Sequence, residues 1–194
     1  MIELFDLSRV SSTAAVYDVQ KLTWMNGQYI KRLDPEDLME RVIPFVEAAG
    51  LATRQELEAR KDWFRQAVIT MQERAKTLEE LAHYMAFYFK PPETYDEKGV
   101  NKHFAKPGVA GLLEKCVEVL SRMPEWTIEA CDQAYTELAE KEGVSRGKLI
   151  HPTRLALSGI TFGPGLFDIM FVLGKDETVS RLKAAIKFIK EACE

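Results

Sequence analysis

Asp34-Pro35-Glu36 is a helix entry written in local chemistry alone. A capping side chain comes first, then a proline where a missing N–H costs nothing, then an acid beside the positive end of the helix dipole. Leu38, Val42, Phe45 and Val46 follow at helical spacing, and Gly50 marks the stop. The same grammar recurs along the chain. Ser12 or Thr13 caps a helix running from Ala14 to about Trp24, and Asn26-Gly27 then offers a turn. Thr53-Arg54-Gln55-Glu56 and Thr77-Leu78-Glu79-Glu80 have the capping-box form and open helices expected over 54–73 and 78–89. Phe89-Lys90-Pro91-Pro92 must end a helix, and 91–106 reads as a linker with room for one short helix. Val109, Leu112, Leu113, Cys116 and Leu120 share one side of a helix over 107–122, broken by Met123-Pro124. Thr127-Ile128-Glu129 begins another that ends at Gly143. Pro164 takes the first position of a helix whose unpaired N–H groups face outward, ready for an anionic or hydrogen-bonding partner. No long alternating β pattern exists. The expected fold is all-α.

With 194 residues, 46% of them hydrophobic, the chain can bury one sizeable core or two modest ones. No apolar run approaches the roughly 20 residues that cross a bilayer, and no secretory leader opens the chain, so no membrane partner is expected. Cys116, Cys131 and Cys193 form no Cys-x-x-Cys pair and read as buried or free thiols of a reducing cytosol. His83, His103 and His151 are too scattered for a metal site, and none is expected. Gly159, Gly163 and Gly165 lack P-loop spacing, and no nucleophile and base cluster together. The net charge of −4 argues against indiscriminate binding to nucleic acid, DNA included. Residues 145–190, however, carry eight basic residues against three acidic ones, which suits contact with a particular RNA at a few phosphates. Lys183, Lys187 and Lys190 taken alone read as a solvated face. Trp63, Phe64, Tyr84, Phe87, Tyr88 and Phe89 sit at helical spacing and are expected in the core rather than as a base-stacking platform.

Two blocks are more specific than their physics. One is Arg154-Leu155-Ala156-Leu157-Ser158-Gly159 with Pro164-Gly165-Leu166-Phe167 and Leu173-Gly174-Lys175. The other is Phe5-Asp6-Leu7-Ser8-Arg9-Val10-Ser11 with Ala15-Val16-Tyr17-Asp18 and Lys21-Leu22-Thr23-Trp24-Met25-Asn26-Gly27-Gln28-Tyr29-Ile30. In this order they resemble the C-terminal part of bacterial-type glutamate–tRNA ligases, across essentially the whole chain. The His-Ile-Gly-His-type and Lys-Met-Ser-Lys-Ser-type motifs of the catalytic half are absent. The resemblance therefore implies no catalytic residue and no cofactor in this chain, with ATP handled by a separate catalytic domain. It also implies that Met1 is a start introduced by truncation, that the piece alone is inactive, and that the location is cytoplasmic.

The implied fold is the helical anticodon-binding domain of a class I aminoacyl-tRNA synthetase: 1–33 as the end of the stem-contact domain, then helical subdomains over 34–90 and 91–194. The implied partners are glutamate tRNA and the catalytic domain of the parent enzyme. Asn26, Gln28, Tyr29 and Lys31 would meet the inner corner of the tRNA, with Trp24 as a core anchor beside them. Arg74 matches an arginine that reads the third anticodon base, cytosine for glutamate against guanine for glutamine. Without the resemblance it is an ordinary surface arginine. Arg154 matches a contact to the anticodon loop and Leu166 a residue packing on an anticodon base, while Pro164-Gly165 would hold the turn between them. Gly163 stands where some relatives carry threonine, leaving only backbone for a contact there. A helical protein-interaction module without an RNA role is the alternative reading.

Overall fold

The computed structural model describes residues 17–192. The expected cap at Ser12 or Thr13, the block from Phe5 to Ser11, and Cys193 lie outside the described residues. Among those described, every regular element is helical.

Helix α1 runs Val19–Ile30 with Asp18 as its cap. The turn expected at Asn26-Gly27 does not form. Gly27 is instead a contact point inside the helix, where an added Cβ would lie 3.2 Å from the Lys76 backbone. Asp34 accepts from the Glu36 amide at 2.9 Å and opens α2 (Pro35–Ala48) as its sequence dictates. The buried stripe of α2 is Leu38, Met39, Val42, Ile43 and Val46, while Phe45, expected on that stripe, stays 38% exposed.

The two capping boxes open helices that then break earlier than expected. Thr53 and Glu56 close a reciprocal box at the start of α3 (Arg54–Ala59), and a kink at Arg60 separates it from α4 (Lys61–Gln72). The kink lets Leu57 enter the core while α4 buries Phe64, Ala67, Val68 and Met71 on its own axis. Thr77 caps α5 (Leu78–Tyr84), but the Glu80 carboxylate reaches past the cap to the Lys76 amide at 2.8 Å. Met85, fully buried, divides α5 from α6 (Ala86–Phe89).

The stretch expected as a linker packs closely. Asp96 donates from its amide to the Gly159 carbonyl at 2.8 Å, and the Tyr95 ring packs edge-on against Phe104 and at a tilt against Phe188. A short α7 (Glu97–Gly99) runs into one π-helical turn, Val100–Phe104. Gly159 takes φ +75°, and a Cβ there would meet Pro92 at 2.8 Å and the Thr94 carbonyl at 2.9 Å. Only glycine fits this crossing.

Helices α8 (Val109–Arg122), α9 (Ile128–Lys141), α10 (Gly147–Ser158), α11 (Leu166–Leu173) and α12 (Lys175–Ala192) complete the second half. Buried side chains from Ile30 to Ile189 form one continuous core. Two polar side chains cross between the halves. Trp63 Nε1 donates to the Val172 carbonyl at 2.9 Å, and Arg181, 3% exposed, donates to the carbonyls of Phe87 and Leu157 at 2.6 and 2.7 Å. Phe64, Phe87 and Tyr88 are buried, as core aromatics should be. Cys116 and Cys131 are buried free thiols, and burial pushes each pKa up to about 11.

Candidate nucleic-acid interface

Arg74 lies in the loop between α4 and α5, and four hydrogen bonds fix that loop. Gln72, buried at the end of α4, donates to the Ile30 and Leu33 carbonyls, both at 2.9 Å. The Lys76 peptide is held on both sides, its amide by Glu80 and its carbonyl by Asn26 Nδ2 at 2.6 Å. Ala75 is buried between them, which leaves Arg74 projecting and exposed.

Facing Arg74 is the turn before α11. The helix begins at Leu166 with Gly165 as its cap, so Pro164 sits before the helix and not at its first position. The open anion-binding end expected there is crowded by a carboxylate. The Asp168 carboxylate folds back so closely over Gly165 that an added Cβ would collide with it. A carboxylate in the first turn complements the dipole and competes with any external anion. Gly163 takes φ +141°, a conformation that strains a side chain. The Arg154 guanidinium donates to the Pro164 carbonyl. Burial holds the Arg154 pKa below the usual arginine value, the nearby charge of Arg74 lowers it further, and Tyr88 and Asp168 partly offset this.

A cleft of about 390 Å³ opens between these two loops, lined by Lys31, Gln66, Thr70, Arg74, Pro164, Gly165 and Asp168 among others. Three segments far apart in sequence thus converge, with arginine and lysine donors on one wall and a rigid turn on the other. One exposed, unstacked planar group could be met there by directed N–H donors.

A family model for the anticodon-binding domain matches residues 37–186, more than half of the chain. The chain belongs to the anticodon-binding domain family. This anticodon-binding chain is 47% identical over 190 residues to glutamate–tRNA ligase 1 of Caldanaerobacter subterraneus subsp. tengcongensis, covering 98% of itself and 39% of that protein. Against glutamate–tRNA ligase of Moorella thermoacetica it is 42% identical, again over 98% of itself and 39% of the relative. It therefore spans about two fifths of the length of the curated relatives it matches. The crystal structure of a glutamate tRNA ligase from Elizabethkingia meningosepticum superposes with a TM-score of 0.83 at 29% identity, over 95% of this chain and 35% of that one.

Within this anticodon-binding fold the remaining candidates scatter. Leu166 is 3% exposed and supports the turn from inside the core, and Pro164 is buried too, so neither side chain offers a face to a base. Gln28 is half-buried, and Tyr29 is 66% exposed. Trp24, expected as a core anchor, is 58% exposed. Of α1, only Gly27 and Ile30 are buried; Val19, Leu22, Met25 and Tyr29 fall at helical spacing along one open apolar face, and Trp24 is exposed on another side. The basic excess over 145–190 does not gather into one patch. Arg146 pairs with Asp132, Arg181 with Glu177, Lys187 with Glu191 and Lys190 with Glu114.

Phe162 was not singled out by the sequence. It stands half-exposed next to the Gly163-Pro164 turn, its ring held edge-on by Tyr84 at 5.2 Å. An aromatic in a glycine-rich loop, between helices rather than on one, was the available signal.

Proposed function

We propose that this chain is the tRNA-gripping part of a cytoplasmic glutamate–tRNA ligase. The convergence of Arg74, Lys31 and the Pro164-Gly165 turn on one cleft carries the reading. Arg74 has donors and no acceptor, so on the Watson–Crick edge it can favour cytosine, which offers adjacent ring-nitrogen and keto acceptors, over the guanine of glutamine tRNA, which offers one acceptor beside two donor groups. Arg154 stiffens the opposite turn through the Pro164 carbonyl, Gly163 gives that turn its backbone, and Leu166 braces it from within. Lys31 adds charge for a neighbouring phosphate. Along α1, Gln28 and Tyr29 would meet the inner corner of the tRNA, while Asn26 acts by anchoring the Arg74 loop.

The rest of the ligase supplies the chemistry: activation of glutamate with ATP, then esterification to the tRNA end. The open apolar face of α1 suits contact with that catalytic domain better than contact with RNA phosphates. The division we propose places the end of the stem-contact domain at 1–33 and two anticodon-binding subdomains at 34–90 and 91–194, joined near Lys90 and bridged by Arg181 and Trp63. By itself the chain binds tRNA and catalyses nothing. Cleavage footprinting of glutamate tRNA with this chain should protect the anticodon loop and the inner corner in a salt-dependent way. Protection of neither would leave a protein-interaction module as the better account.

A further inference from the structure

On a different part of the surface, a cleft of about 730 Å³ is lined by Lys102, His103, Lys106, Lys148 and His151 over an apolar floor that includes Pro107, Val109 and Pro152. It shares no lining residue with the cleft that carries Arg74. Four features set it apart. Among the described residues no carboxylate lines it, although the protein carries 30 acidic residues against 26 lysines and arginines. None of its three lysines makes an ion pair among the described residues, whereas Lys115, Lys187 and Lys190 all do. The His103 and His151 rings stack at 5.1 Å and 24°. Burial lowers the His103 pKa, and the charges of His151, Lys102 and Lys106 lower it further, as expected where positive groups crowd without a counter-charge. Helices α8 and α10 both start at this cleft without a side-chain cap, adding two positive dipole ends to the same field.

A bare inorganic anion would satisfy the lysines and leave the apolar floor and the imidazole faces unused. We infer that the cleft is a second ligand site, taking a nucleotide whose base lies on the histidine rings and apolar floor and whose phosphate is held by Lys102, Lys106 and Lys148. Base–aromatic stacking is tolerant of sequence, so the nucleotide can be free or part of an RNA strand. The inference goes beyond anticodon reading and does not depend on it.

The chain has three histidines, so their ring C–H signals can be assigned by single substitutions, with His83 outside the cleft as the internal control. Adenosine monophosphate should shift His103 and His151 saturably, with a dissociation constant on the order of 1 mM or tighter, and leave His83 in place. Lys106→Glu with Lys148→Glu should weaken this about tenfold, and the milder Lys→Gln pair less. Both lysines are exposed, so folding is not at stake. A short single-stranded RNA that binds the same rings more tightly than the mononucleotide identifies a strand as the source, and equal affinity identifies the free nucleotide. The inference is overturned if neither moves the rings, if inorganic phosphate works as well as the nucleotide, or if the double charge reversal changes nothing.

Discussion

Asn26 donates through Nδ2 to the Lys76 carbonyl at 2.6 Å, across fifty residues of sequence. A residue expected to touch RNA thus fixes the loop from which Arg74 projects. With Gln72 tying the same loop to the end of α1, the position of the proposed reading residue is set by the helix that precedes α2. Removing the Asn26 amide should cost about 1 kcal/mol of stability, the usual net worth of a single hydrogen bond. Asn26→Ala should also speed amide exchange at Lys76 and Ala75 more than elsewhere, measured by mass spectrometry. Unchanged exchange in that loop would show that Gln72 suffices.

Arg181 should behave as a clamp between the halves. Its guanidinium serves the Phe87 and Leu157 carbonyls, which in Arg181→Met lose their donor inside the core. Two such losses predict about 3 kcal/mol of destabilisation in a urea titration. A loss below about 0.5 kcal/mol, the level of an ordinary surface change, would contradict the clamp.

Gly159→Ala tests the crossing of the Pro92–Thr94 stretch over the end of α10. Positive φ and the close approach to Pro92 and Thr94 act together, and about 2 kcal/mol of lost stability is expected. Gly111→Ala, with open space at its Cβ position in a helix interior, should leave stability unchanged or raise it by up to about 1 kcal/mol.

Phe162→Ala should leave the melting temperature nearly unchanged, since the ring is half in solvent. If it stacks on a base beside the Arg74 cleft, tRNA affinity should fall by about 1–3 kcal/mol, measured by filter binding. An equal affinity would confine Phe162 to its contact with Tyr84.

The buried thiols give the pH dependence a direction. Cys116 and Cys131 are raised by burial from 9.0 to about 11, so the unfolded chain ionises them first as pH rises. Their contribution is complete below pH 9 and is lost between pH 9 and about 11. Stability measured across that window should fall, and less so in a Cys116→Ala, Cys131→Ala variant compared with its own value at pH 7.

Helix starts were legible in the sequence because capping is local: Asp34, Thr53, Thr77 and Thr127 all act as their side chains predict. The breaks at Arg60 and Met85 were not, because no glycine or proline marks them and tertiary packing decides where the axis turns. Asn26-Gly27 misled for the opposite reason. A dipeptide that favours turns is kept helical because its small glycine lets α1 approach Lys76. Trp24 misled because burial needs a partner surface, and the described residues supply none on that side of α1. The family was legible from two ordered motifs, but the cleft was not. Nothing in the spacing of Arg74 and Pro164 places them opposite each other, and Asp168 closing the start of α11 depends on one side-chain conformation.

The most direct test is a binding comparison between glutamate tRNA and the same tRNA changed from cytosine to guanine at the third anticodon base, using the chain and its Arg74→Gln variant. The account predicts a clear preference for cytosine that the variant abolishes, with both tRNAs still bound through the remaining contacts. Equal binding of the two tRNAs by the unaltered chain, or an undiminished preference in the variant, would contradict it.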